Sequence, residues 1–135
     1  VLIQIKEKKM SVKYNLIIGD FHVLRDAGEN NVKDVVLIIN FSIQGSLEHN
    51  GTTLVHAISD FVSVAPDDIS NINKDTFIPF ENLTREMVEE WIYSAAGDEK
   101  INQMKQSIES ELVGQTQLAI LPAPWIPLNP SQPVE

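Results

Sequence analysis

Asn50-Gly51 constrains this chain more than any other pair of residues in it. Both accept the positive φ angles of a type I′ turn, whose twist matches that of two antiparallel strands. A two-residue loop here sets the register of what flanks it: facing residues have numbers summing to 101, as 50 and 51 do. Leu47 then faces Leu54, Ile43 faces Ile58, Ile39 faces Val62 and Leu37 faces Val64, all apolar and all on one face. The other face pairs Glu48 with Thr53, Ser42 with Ser59 and Asn40 with Phe61, a mostly polar set. A slip of one residue would turn the apolar set outward, so turn chemistry and alternation agree on one hairpin. Two positions strain the pattern: Phe41 faces Asp60, and Gly45 faces His56. A bulge near residues 59–61 is expected to relieve the first. An aromatic ring covering a glycine gap is the expectation for the second.

Residues 12–24 are rich in β-branched and aromatic side chains and read as a strand preceding the hairpin. The polar loop Arg25–Asn31 separates the two. Residues 65–76 hold a proline and many turn formers, and read as a connector. In Phe77-Ile-Pro-Phe-Glu-Asn-Leu-Thr-Arg-Glu-Met-Val-Glu-Glu-Trp91, the residues Phe77, Pro79 and Phe80 are expected to plug the connector onto the sheet. Thr84 is a good N-cap, Glu86 suits the positive end of the helix dipole, and Leu83 with Val88 stand at staple positions. Met87, Val88, Trp91, Ile92 and Ala95 form one apolar stripe, with Trp91 read as core, and Gly97 stops the helix. A second helix is predicted from an Asp98 cap to about Val113, with Ile101, Met104, Ile108 and Leu112 on its buried face and Gly114 as its stop. Leu118–Leu121 is a candidate fourth strand.

The fold class that follows is α+β. It is an antiparallel three- to four-stranded meander with a two-helix hairpin packed on one face, followed by an extended, Pro-rich C-terminal tail. Residues 12–121 form the single domain, 122–135 the tail, and 1–11 an N-terminal extension. Lys-Glu-Lys-Lys before Met10 can be encoded by a purine-rich tract resembling a bacterial ribosome-binding site. That suggests translation starting at Met10; the other reading of residues 1–9 is a genuine N-terminal strand.

Composition narrows the function classes. The formal charge of −9 points away from direct nucleic-acid contact, which needs clustered Lys and Arg. It suits either simple solubility or a partner with a basic face. No apolar run approaches a membrane span, so no membrane partner is expected. The chain has no cysteine, which excludes disulfides and thiol catalysis.

The search for catalytic chemistry is equally restrictive. There is no Gly-x-Ser-x-Gly elbow and no glycine-rich phosphate loop, and His22, His49 and His56 lack metal-ligand spacing. Asp67, Asp68, Ser70, Asn71, Asn73 and Asp75 lack the central glycine and terminal glutamate of a calcium loop, and read as a solvated turn region. Glu89 and Glu90 point to different sectors of a helix and make no acid–base pair. Asn40-Phe-Ser42 and Asn82-Leu-Thr84 match the glycosylation pattern but fall inside structural elements. The expectation is a non-enzymatic chain with no catalytic residue, no metal and no cofactor. Trp125 stands apart, in Pro122-Ala-Pro-Trp-Ile-Pro127. Either it folds back onto the domain or it is a hook for a neighbour, since tryptophan and extended Pro-rich segments are common contact devices. Pro124, Trp125 and Ile126 are the candidate interaction residues.

The Phe77–Trp91 segment, the short helix after it and the closing Leu121-Pro-Ala-Pro-Trp125 resemble a family of small tailed-bacteriophage proteins, many from phages of marine and cyanobacterial hosts. The likeness covers about residues 12–126. It implies phage origin and a virion-associated structural or assembly role through contacts with other virion proteins or with itself. The location implied is the virion or the bacterial host cytoplasm. The alternative reading is an acidic phage modulator that binds a host protein. The resemblance carries over no functional residue.

Overall fold

The Asn50-Gly51 turn forms as its chemistry dictates, with φ of 52° at Asn50 and 78° at Gly51. The computed structural model describes residues 11–119 and 121–126. Within them, β1 (Lys13–Ala27), β2 (Val32–His49) and β3 (Thr52–Ser63) make an antiparallel meander in the order β1-β2-β3. From His49–Thr52 to Ile38–Ser63, β2 and β3 keep the register set by the turn without interruption. The bulge expected at residues 59–61 is therefore absent. Asp60 is accommodated by pairing instead: Lys100 Nζ lies 2.7 Å from Oδ2, and Phe61 N donates to Oδ1 at 2.7 Å. Nor does His56 cover Gly45. A methyl group at Gly45 would collide with Ile108 Cγ2, so a helix side chain occupies the gap.

The irregularities fall between β1 and β2, where the sequence alternates less cleanly. Register shifts lie between Ile18 and Phe21 and between His22 and Val23. At the first, β1 runs three residues against two of β2; at the second, β2 carries the extra residue, Leu37. The two shifts compensate. They let Tyr14, Leu16, Ile18, Phe21 and Val23 all reach one core despite the change from even to odd numbers.

Two helices cover that face. In α1 (Arg85–Ala96), Thr84 caps the start by accepting from Met87 N at 3.3 Å, and Gly97 at φ 84° ends it. Val88 and Ile92 are buried. Arg85 Nη2 donates to Leu16 O at 2.8 Å, tying the start of α1 to β1. α2 (Asp98–Thr116) buries Ile101, Met104, Ile108 and Leu112, the expected face. Fully burying each large aliphatic contributes roughly 1.5–3 kcal/mol, so these residues with Ile39, Ile43 and Ile92 hold the layers together. Asp98 is not the cap. It is the first residue of α2, the N-cap position belongs to Gly97, and no side chain bonds there. Gly114 does not stop the helix, which continues to Thr116 and closes with Gln117 N on Gly114 O.

The connector crosses the far end of the β1–β2 ribbon, where Ala27, Val32, Val35 and Ile72 form a second cluster with Leu37, Ile69 and Phe77. Gly28 permits the approach: its φ is 63°, and a Cβ there would strike the backbone of Ser70. Glu29 N donates to Ser70 O at 3.3 Å and Asn30 Nδ2 to Ile72 O at 2.8 Å. Phe77 is half-buried as expected, and Phe80 stacks edge-on against Phe21 at 5.6 Å. Pro79 is exposed and plugs nothing.

The sheet has three strands among the described residues. Leu118, Ala119 and Leu121 lie outside it and are exposed, so they do not extend it. The described part of the tail has neither helix nor strand and makes one turn, Ile126 N donating to Ala123 O at 2.9 Å. The expectations for residues 1–9 and for the tail beyond Ile126 lie outside the described residues. Among the described residues, no helix is long and apolar enough to cross a membrane.

Candidate functional site

The best-formed concavity is a cleft of about 370 Å³ where the sheet, the connector and α1 meet. It exists because three chain segments leave the core at one corner. β2 supplies Asp34–Val36, the end of β3 and the residues after it supply Ser63–Pro66, and the connector returns with Thr76–Ile78 before Phe80 and Leu83. Trp91, Ser94 and Ala95 of α1 close the fourth side. Trp91 therefore has two roles: it packs against the main core and presents part of its ring to the cleft.

The charged group of the cleft is Asp34. Its backbone has a positive φ of 52°, uncommon for a residue with a side chain. Its Oδ1 is shielded from solvent and has no aligned hydrogen bond, although Arg25 Nε lies 3.0 Å away. Arg25 is mostly exposed, so this pair contributes less than about 1 kcal/mol. Aromatic faces beside one carboxylate suit a flat apolar group or an organic cation. None of the cleft hydroxyls, on Ser63, Thr76 and Ser94, hydrogen-bonds to Asp34 Oδ1, the geometry a base would need to activate one of them.

The residues weighed for metal or proton chemistry are dispersed. His22 Nε2 lies 3.2 Å from Asn40 Nδ2 on the uncovered sheet face, and His49 Nε2 lies 3.2 Å from Asn50 Nδ2 beside the turn. His56 is half-buried on the helical side of β3. In the connector Asp68 and Asn73 serve turns: Asp68 Oδ1 accepts from Ser70 Oγ at 2.6 Å, and Asn73 Oδ1 accepts from Asp75 N at 2.9 Å. No three His, Cys, Asp or Glu side chains converge as metal ligands among the described residues. Asn82 lies in a 3₁₀ turn, Phe80–Asn82. Among the described residues, two ionisable groups are perturbed. The Tyr14 hydroxyl is pushed above its ordinary value by burial first and by Glu109 second. The Asp60 carboxyl is drawn below its own, chiefly by the hydrogen bond from Lys100.

Pro124, Trp125 and Ile126 are brought together at the turn of the tail. Trp125 is 84% exposed and Ile126 46% exposed, so the tail does not fold its tryptophan onto the domain. The tail and the cleft are separate features.

Residues 11–125 match the model of a family described as Domain of unknown function (DUF7936). The chain belongs to this family. The match takes in the whole sheet, both helices and the tail as far as Trp125. No curated protein and no solved structure matches the chain. Membership thus comes with a fold and without an activity, and the cleft must be judged on its own chemistry.

Sequence reasoning found the tail but missed the cleft. Asp34, Val64, Phe77 and Trp91 are far apart in the chain, and only the return of the connector brings them together. A signal did exist: Asp34 stands directly before the apolar run Val35–Ile39, and it lies outside the alternation that the hairpin obeys.

Proposed function

We propose that this chain is a non-enzymatic phage protein, a virion-associated structural or assembly component that acts through protein–protein contacts. The observation that carries the reading is the tail. Trp125 is 84% exposed on a proline-punctuated segment with Ile126 beside it, after a domain whose core is already filled. A large aromatic side chain held in water is costly unless a partner covers it, and tryptophan is over-represented among residues that dominate interface energies. The resemblance of Phe77–Trp91 and Leu121–Trp125 to small tailed-phage proteins supports the choice of setting.

Purified, washed particles provide the test. The protein should be present in stoichiometric amount, and Trp125→Ala should lower its incorporation while leaving the fold intact. Its absence from such particles overturns the reading. The net charge of −9 favours a second one, an acidic modulator in the host cytoplasm that binds a basic host protein. In that case affinity capture retrieves a single host protein, with binding that weakens as salt is raised.

A further inference from the structure

Among the described residues β3 is an edge strand along its whole length, and little in it guards that edge. Thr52–Ser63 contains no proline, lysine or arginine, and its ladder with β2 is unbroken. The opposite edge, β1, carries a bulge at Gly19-Asp20 and charged residues at Lys13, Arg25 and Asp26, the devices that keep edges from pairing. The bond from Val64 N to Leu37 O fixes the orientation of the β3 backbone. Even-numbered residues face β2, so the N–H and C=O groups of Val55, Ala57, Ser59 and Phe61 point away from the sheet.

Two copies of such an edge pair antiparallel around a twofold axis normal to the sheet. Facing residues must then lie on the same face, so their numbers have a constant even sum. With Ile58 on the axis, every position from Thr53 to Ser63 is matched. On the open face Val55 meets Phe61 of the second copy, joining the two exposed large apolar side chains of the strand, at 52% and 57%. On the helical face His56 meets Asp60, and Leu54 meets Val62. Sliding by one step in either direction sets Asp60 against Leu54 or Ile58, and Phe61 against Thr53 or Ala57. Only the first register sets the Asp60 carboxylate against a hydrogen-bond donor and joins likes in hydropathy.

We propose that β3 pairs antiparallel with β3 of a second copy of this chain, with Val55 opposite Phe61 and His56 opposite Asp60. One continuous sheet then runs through both copies, with both helical layers on the same face. Phe61 N exchanges the Asp60 carboxylate for the Val55 carbonyl of the second copy, which leaves that carboxylate free to accept from His56. The interface does not use the tail and meets the cleft only at Ser63, so it stands or falls apart from the proposed virion role.

The absence of native cysteine allows a test of both pairing and register. Val55→Cys and Phe61→Cys change exposed side chains, and tryptophan-fluorescence melts of each confirm that it folds. Hydrogen-bonded antiparallel partners have Cα atoms about 5.5 Å apart, within disulfide reach. Identical positions on the two copies lie about 20 Å apart in this register, beyond it. Oxidising a mixture of the two variants should give a disulfide-linked dimer, while either alone should give none. The wild-type chain at high micromolar concentration should sediment at twice its 15.1 kDa, and Val55→Lys with Phe61→Lys should return it to monomer. A wild-type chain that sediments as monomer overturns the proposal. So does either cysteine variant crosslinking alone as readily as the mixture.

Discussion

Gly45 and Ile108 should be energetically inseparable, and the size of their coupling follows from the geometry. A Cβ at Gly45 would overlap Ile108 Cγ2, with Val12 Cγ1 at 3.1 Å and Leu112 Cδ1 at 3.3 Å to block retreat. Isoleucine is stiff at χ1, so its methyl cannot swing aside cheaply and the helix must lift instead. Gly45→Ala alone should therefore cost about 2 kcal/mol through overpacking. Ile108 is fully buried, and Ile108→Ala should cost about 3.5 kcal/mol through lost contacts and the cavity left behind. Combined, the two do not add. With the isoleucine gone, the new methyl enters the vacated space and recovers about 0.8 kcal/mol, the worth of one buried carbon. The double variant should thus lie about 2.7 kcal/mol below the parent instead of about 5.5, a coupling near 3 kcal/mol. Urea titrations of all four proteins, followed by tryptophan fluorescence at low concentration, measure this directly. Additivity to within about 0.5 kcal/mol would refute the claim that α2 seats its isoleucine in the glycine gap.

Thr84→Ala removes the acceptor for Met87 N and should cost about 1 kcal/mol in the same assay, with Thr84→Ser close to neutral. Gly28→Ala forces a side chain into a left-handed backbone and against Ser70, and should cost about 2 kcal/mol. Limited proteolysis should then cut first between residues 65 and 79, as the connector loses its seat. Asp60 has a pH signature. Lys100 draws its carboxyl below the ordinary value, so it binds a proton less readily folded than unfolded. Its stabilisation is complete above the unfolded carboxylate range and is lost as pH falls through the folded value. Asp60→Asn should therefore be less stable than the parent at neutral pH, with the gap closing in acid; a gap that persists in acid counts against the ion pair.

Legibility in the sequence followed the range of the interactions. The β2–β3 hairpin was readable because Asn50-Gly51 and the alternation of Leu47, Ile43 and Ile39 with Leu54, Ile58 and Val62 are local, mutually consistent signals. The helix faces were readable for the same reason. What failed was whatever depended on a partner from elsewhere. Asp60 seemed to demand a bulge because Lys100 is 40 positions away in the chain. Gly45 was assigned a cover from its cross-strand neighbour, while the true occupant came from α2. Leu118–Leu121 looked like a strand from composition, but the sheet offers it no place in the described chain. At the candidate sites the division is the same. The tail, a contiguous motif, can be named as a candidate from the sequence; the cleft, assembled from four segments, cannot.

The extra residue at Gly19-Asp20 has a consequence for how many molecules can associate. A sheet with one receptive border and one blunt border closes at a pair, because the second border terminates growth. Removing Asp20 would restore regular alternation along β1 and leave every other partner in place. The middle of β1 would then be as receptive as β3, with Lys13, Arg25 and Asp26 the remaining guards of that flank, and the expected products include assemblies larger than a pair. An extra residue on the far side of the meander thus helps to hold the complex at two copies.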